Sequence, residues 1–409
     1  MPGLRRSVGR ELSQRIVPFW QALRDDHHGG YFGQVDWDLT IRPQADKGTL
    51  LMCRILWFFS TAAAQLHRAD LLDNAQHAYR FLADRCWDES AEGMIWSVGH
   101  DGSWSDTTKH AYGQAFAIYS LSAYWRASRD REALELANRL FDVLESRFSA
   151  GIGYQEALDR QFNPISNDKL SENGVLADQT MNTLLHILEA YSGLYEAGGA
   201  SPLVGRAIRR VLDIFAVHVY NHQARRLEVF FDSNMRPLLD MQSFGHDLEA
   251  AWLIDWGVGL MADPALTRRF DLITDDLVAS VFERAYRDGA VAFESVGGKL
   301  DDRRVWWVQV EAMVSFMRAS AKPSCSRPEE YRRVAGSVWD YLESHFFDPR
   351  PGGEWYWEVG RSGEPAPGLP IVSTWKCPYH SGRACLMIMA DLEPSGSDAD
   401  LVEVSHAAS

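Results

Sequence analysis

Six times along the chain, a short segment rich in glycine and aromatic residues precedes a helix-like run that opens on polar or aromatic side chains. The short segments are residues 29–33, 93–96, 151–154, 226–230, 289–293 and 352–357. The runs after them begin around Lys47 to Arg54, Lys109 to Tyr112, Asn182 to His186, His246 to Glu249, Trp306 to Glu311 and Trp375 to His380. A recurrence of roughly 60–75 residues is too long for a solenoid unit and suits a helix pair plus a hairpin. The expected fold is therefore all-α: twelve helices in two concentric rings of six, with working groups gathered at one mouth.

An even repeat over 409 residues favours one large domain, residues 1–393, with a small polar tail at 394–409 expected to fray. A net charge of −15 opposes long-range attraction to nucleic acid or to an anionic membrane and favours a small-molecule ligand. Five cysteines form no CxxC pair, which fits a reducing compartment, and a cytoplasmic location is expected. The first twenty residues mix arginines with apolar side chains and read as an amphipathic helix rather than a signal peptide. The longest apolar stretch, 50–64, is read as too short to span a bilayer, and it contains Arg54.

Helical spacing of apolar residues predicts helices over 115–124, 132–148, 181–194, 247–256, 307–317, 329–346 and 382–392. Residues 226–239 alternate as a hairpin, with Leu227, Val229 and Phe231 on one side and Asp232, Ser233 and Asn234 in the turn. Residues 163–178 read as a long loop near the mouth, and 321–328 as a loop between outer helices.

His246 and Glu249 stand three apart at a helix start, so the carboxylate could orient the imidazole; a surface His–Glu pair is the bland alternative. Gly245 before them would let backbone or ligand approach. Asn182 and His186 share a face beside an apolar stripe, where a hydrogen-bonded core histidine is the competing reading. Pro378 starts a helix with His380 in its first turn, where the N-terminal dipole would lower the imidazole pKa as a general base requires. Arg54 within an apolar run either snorkels or serves a site whose oxygen becomes anionic. Tyr112 offers a hydroxyl near a helix start. Trp306, Trp307 and Trp375 fall at repeat positions facing the mouth, where flat rings can pack on sugar C–H faces. No P-loop, dinucleotide fingerprint, GxSxG or HExxH is present. The candidate set lacks a carboxylate-rich shell for a hard divalent ion, so neither metal nor cofactor is expected.

Taken together, these segments resemble the N-acylglucosamine 2-epimerase superfamily, in its cellobiose and mannose 2-epimerase branch. Matching stretches run in order from about residue 28 to 392 and include Lys109-His110-Ala111-Tyr112, Met181-Asn182-Thr183, His246-Asp247-Leu248-Glu249 and Trp375-Lys376-Cys377-Pro378-Tyr379-His380. The resemblance implies an (α/α)6 barrel with short β-hairpins at the mouth and cofactor-independent inversion at C2 of a reducing-end aldose. It implies catalytic histidines at His246 and His380, with Glu249 supporting His246. Arg54, Tyr112, Asn182 and His186 would hold substrate oxygens, and Trp375 with Trp306 or Trp307 would pack on sugar rings. One departure is Leu184, where the family pattern has histidine. The implied partner is a sugar, and the chain is expected to be a monomer or homodimer. Three rivals stay open: an aldose–ketose isomerase sharing the enediolate, a glycoside hydrolase using Asp247, Glu249 or Glu311, and a non-catalytic sugar-binding module.

Overall fold

A computed structural model describes residues 2–392; the tail at 394–409 lies outside the described residues. In chain order the α-helices are α1 (Pro2–Glu11), α2 (Val17–Ala22), α3 (Thr49–Leu66), α4 (Ala69–Phe81), α5 (Ala111–Ser128), α6 (Arg131–Val143) and α7 (Met181–Ala197). They continue with α8 (Pro202–Ile214), α9 (Phe244–Leu260), α10 (Pro264–Arg284), α11 (Trp306–Ala321), α12 (Pro328–His345) and α13 (Pro378–Asp391). A π-helical turn, Leu12–Ile16, joins α1 to α2, and similar turns extend α4, α6 and α8 at their C-terminal ends.

The helix contacts form a cycle. Helix α3 packs on α5, α5 on α7, α7 on α9, α9 on α11, α11 on α13, and α13 returns to α3. The remaining helices lie outside: α4 on α3, α6 on α5, α8 on α7, α10 on α9, α12 on α11, and α1 on α13. Position in this arrangement explains composition. Helix α3 is buried from Thr49 to Ser60 on every face and is apolar nearly all round, whereas α6 buries a stripe of Ala133, Leu136, Ala137, Leu140 and Phe141 with Val143 at its end. By length and composition α3 could cross a bilayer, contrary to the expectation from 50–64, but 78% of its apolar window is buried inside the protein. It is a core helix.

Each inner helix from α3 to α11 is preceded by two or three extended residues that pair with a segment following the next outer helix. The partners are Lys47 with Val98, Lys109 with Leu158, Thr180 with Phe230, Ser243 with Glu294 and Val305 with Glu358. These small antiparallel ladders hold the N-terminal ends of the inner helices. Buried lysines lock three of the connections: Lys47 to Asp25 at 2.7 Å, Lys109 to Asp88 at 3.4 Å and Lys376 to Glu354 at 2.6 Å. Thr180 caps α7 by accepting from the Thr183 amide, and Asp130 caps α6 through the Glu132 amide.

All seven helices predicted from the spacing form, with three local corrections, while α4, α8 and α10 are not among them. The last helix begins at Pro378 rather than 382, because proline fits the first helical position and Cys377 before it is extended. Residues 322–327 connect an inner helix to an outer one, not two outer helices. The hairpin at 226–239 is present only at its tip, where Phe231 bridges Pro237 and the Leu238 amide donates to the Phe230 carbonyl; the rest of the segment pairs elsewhere, Leu227 with Tyr220 and Phe230 with Thr180. Glu228 and Phe230 are buried along with Leu227, Val229 and Phe231, so both faces are covered. The expected turn does form, closed by the Asp232 amide donating to the Arg236 carbonyl.

Candidate active site

The N-terminal halves of the inner helices enclose a cavity of about 400 Å³, within the range that encloses a small ligand. All ten residues singled out from the sequence line it: Arg54 on α3, Tyr112 on α5, Asn182 and His186 on α7, His246 and Glu249 on α9, Trp306 and Trp307 on α11, His380 on α13, and Trp375 just before α13. Larger hollows among the described residues lie beside α10, beside α1 and α2, and at residues 34–45; none contains any of the ten.

His246 and His380 meet across Trp307, whose ring centroid lies 4.7 Å from the first imidazole and 5.5 Å from the second. Trp307 is seated by Gly245: a Cβ there would stand 2.5 Å from its ring. The glycine thus admits a side chain rather than backbone or ligand. His380 bonds through Nδ1 to Glu311 Oε1 at 2.8 Å, and His186 through Nδ1 to Glu189 Oε2 at 2.9 Å. An ionised carboxylate only accepts, so each Nδ1 carries the proton and each Nε2 is left with its lone pair. Burial lowers the His380 pKa to about 3 against the opposing pull of Glu311. Burial lowers His246 and His186 as well, although the His246 edge stays open to the cavity. Desolvation, more than the helix dipole expected for His380, keeps these rings neutral at neutral pH.

Glu249 does not orient His246. The Nδ1 of His246 bonds to Ser243 Oγ at 2.8 Å, while Glu249 Oε1 accepts from Arg383 Nη2 at 2.5 Å. Arg383 also donates to Glu189 and to Glu311, each at 2.6 Å. Glu249, Glu311 and His380 offer ligand atoms within 4.8 Å of one another, a carboxylate grouping the sequence reading did not foresee. The Arg383 guanidinium already supplies the cation for these carboxylates, so the residues do not fit a metal ion.

Arg54 is 2% exposed. Its Nη2 donates to Tyr112 Oη at 2.8 Å and its Nη1 to the Trp375 carbonyl at 3.2 Å. Its guanidinium stacks 4.3 Å from the Phe116 ring and 4.8 Å from the Tyr379 ring, contacts worth about 0.5–2 kcal/mol each. Among the described residues no carboxylate pairs with it. Four cavity-lining atoms are buried without a hydrogen-bond partner: Arg54 Nε, Asn182 Oδ1, Glu249 Oε2 and Trp306 Nε1. Orphaned polar atoms cost about 1–3 kcal/mol each, so their convergence marks a place for a hydroxyl-rich ligand.

The profile of the family described as N-acylglucosamine 2-epimerase (GlcNAc 2-epimerase) matches residues 21–383. The chain belongs to this family. It is 41% identical to a cellobiose 2-epimerase of Eubacterium cellulosolvens over 397 residues, covering 93% of this chain and 97% of the relative. It is 42% identical to a cellobiose 2-epimerase of Ruminococcus albus over 385 residues, with the same two coverages. The solved cellobiose 2-epimerase of Bacillus thermoamylovorans superposes with a TM-score of 0.91 at 39% identity, covering 95% of this chain and all of that one.

For an epimerase-family member the sequence reading missed two groups of residues. Glu189, Tyr379 and Arg383 lie one helical turn from or next to the chosen histidines and form the layer beneath the cavity. The signal was available: His186 with Glu189, His246 with Glu249 and His380 with Arg383 repeat the same three-residue spacing. The cavity wall toward the mouth comes from Lys169, Leu170 and Glu172 of the long loop and from Phe293, Glu294, Arg303, Trp357 and Glu358. Asp247 turns away, accepting from the Leu227 amide and from Gln242. Of the hydrolase candidates Asp247, Glu249 and Glu311, only Glu249 lines the cavity, so those three do not supply an opposed pair there.

Proposed function

We propose that this epimerase-family protein inverts C2 of the reducing-end glucose of cellobiose, giving glucosyl-mannose, without a cofactor. We read the closed helix cycle as an (α/α)6 barrel. The observation that carries the function is the pair of buried, neutral imidazoles, His246 and His380, held against one tryptophan in one cavity. The choice of a β-linked disaccharide is supported by the two relatives described above.

The chemistry follows from the geometry. Opening the pyranose takes the proton of the anomeric hydroxyl as C1–O5 breaks and returns a proton to the ring oxygen, and the bare Nε2 of His186 suits both transfers. The open chain then carries a weakly acidic C2–H beside the C1 carbonyl. His380, with Nε2 free and Nδ1–H anchored to Glu311, takes that proton. Arg54, a cation without a carboxylate partner and with its Nε–H unspent, stabilises the enediolate oxygens, while Asn182 Oδ1 accepts from a substrate hydroxyl. The proton for the other face of C2 comes from solvent and is relayed through His246, whose edge opens to the cavity, while His380 releases the one it took; in the reverse direction the two rings exchange tasks. Trp307 keeps them on opposite sides of one carbon, and Trp306 and Trp375 pack on the sugar faces. The five unpaired cysteines support a reducing compartment such as the cytoplasm.

Product analysis tests this reading. The chelator-treated protein is incubated with cellobiose, and separately with mannose, and the sugars are identified by NMR. Glucosyl-mannose from cellobiose is expected. Glucosyl-fructose as the main product would make the protein a ketose-forming isomerase, and free glucose would make it a hydrolase.

A further inference from the structure

Three carboxyl groups converge on a single buried guanidinium. Glu189, Glu249 and Glu311 all accept from Arg383, and each is at most 1% exposed. With His186 and His380 neutral, the fully ionised cluster would hold three negative charges against one positive, which a buried site does not sustain.

The hydrogen bonds indicate where a compensating proton resides. Glu189 is saturated by His186, Tyr379 and Arg383. Glu311 receives His380 and Arg383 on Oε1 and the Trp252 indole at 3.1 Å on Oε2. Glu249 receives only Arg383, on Oε1; its Oε2 is buried with no partner. Of the three, Glu249 is the one that lines the cavity. Its carboxyl shares Arg383 Nη2 with Glu311, so the two acids repel at close range.

We infer that Glu249 is a neutral carboxylic acid whose Oε2–H donates a hydrogen bond to the substrate oxygen that becomes anionic in the enediolate. It is a catalytic hydrogen-bond donor, not an orienting partner of His246. A carboxyl kept neutral can donate where a carboxylate would repel the developing charge. This rests on the epimerase reading for the identity of that oxygen, but not for the location of the proton.

Burial and the neighbouring Glu311 both push the Glu249 pKa up. The charged or titratable groups around it are Arg54 on α3, Tyr112 on α5, His186 and Glu189 on α7, His246 on its own helix, Glu311 on α11, and Tyr379, His380 and Arg383 on α13. Glu311 is held down and the two tyrosines are pushed up, so Glu249 is the member of this set poised to ionise on the alkaline side. Activity is then present while Glu249 is protonated and is lost as pH rises through its pKa. Glu294, also raised, lies at the mouth and serves as a control.

Three measurements test the inference on the intact protein. An infrared difference spectrum of wild type against Glu249→Gln at neutral pH should contain a protonated-carboxyl C=O band; carboxylate bands alone would overturn the inference. With cellobiose, Glu249→Leu should lower kcat by about 10²–10³, the loss typical of one oxyanion donor. Glu249→Gln, which keeps a donor, should fall much less and should lose the alkaline decline that Glu294→Gln retains. Equal loss in the Gln and Leu variants, with circular dichroism confirming the fold, would overturn the donor role. The spectrum needs no turnover, so an absent product with the band present would count against the function, and an absent band against the proton on Glu249.

Discussion

At the scale of single residues, a base that removes a proton from carbon must be unprotonated when substrate arrives, and burial secures this for His246 and His380. The same burial has a cost in acid. An unfolded histidine binds its proton near pH 6.5, whereas these rings bind theirs only far lower. Between those limits the unfolded chain holds more protons, so stability is full above about pH 6.5 and falls as pH is lowered. Thermal melts across that window should show a steeper drop for wild type than for His246→Asn, which cannot titrate; equal slopes would mean that His246 is not held neutral. The residue level also shows why Arg383 escaped notice while Arg54 did not. Both are single cations in apolar runs, Leu51-Met52-Cys53-Arg54-Ile55 and Gly382-Arg383-Ala384-Cys385-Leu386. The second, not the first, holds three carboxyl groups, and nothing in the run itself marks the difference.

At the scale of elements, the inner helices were legible in position and less so in period. Helices such as α3 are buried around their circumference, so they lack the one-sided stripe from which a helix is usually read. Of the outer helices, the spacing predicts α6, together with the π-helical turn that extends it to Phe148, and α12, but not α4, α8 or α10. The turn of the hairpin 226–239 was legible, but alternation cannot say which other strands a segment joins: beyond the Phe231–Pro237 bridge at the tip, the pairing runs to residues 179–180 and 220–221. Two predictions belong here. Removing the buried ammonium in Lys47→Ala leaves Asp25 uncompensated and should cost about 3–5 kcal/mol in denaturant unfolding. Gly245→Ala places a methyl group against Trp307, and should lower kcat by tenfold or more on the order of a mispositioned catalytic pair, with circular dichroism unchanged.

At the scale of the whole molecule, one cycle of helices brings residues from α3 to α13 to a common floor, although Arg54 and His380 are more than three hundred positions apart in sequence. The repeat made that convergence readable; which neighbours share hydrogen bonds across the floor was not, because those bonds join different repeats. Arg383 is the clearest case, tying α13 to α7, α9 and α11. Arg383→Met should strand the acids around it and destabilise the fold by about 3–5 kcal/mol or more, read as a lowered thermal midpoint that recovers partly at acid pH as the carboxyls protonate.

The account turns on two imidazoles acting at one carbon, and exchange with solvent at that carbon tests it most directly. Wild-type protein, His246→Ala and His380→Ala are each incubated with cellobiose in heavy water, and the C2 position of the epimerised sugar is followed by NMR. Deuterium at C2 of the glucosyl-mannose formed by wild type is predicted, with both turnover and label reduced by about 10²–10⁴ in either variant. Epimerised product that keeps its original hydrogen at C2, or a variant that turns over at the wild-type rate, would contradict the account.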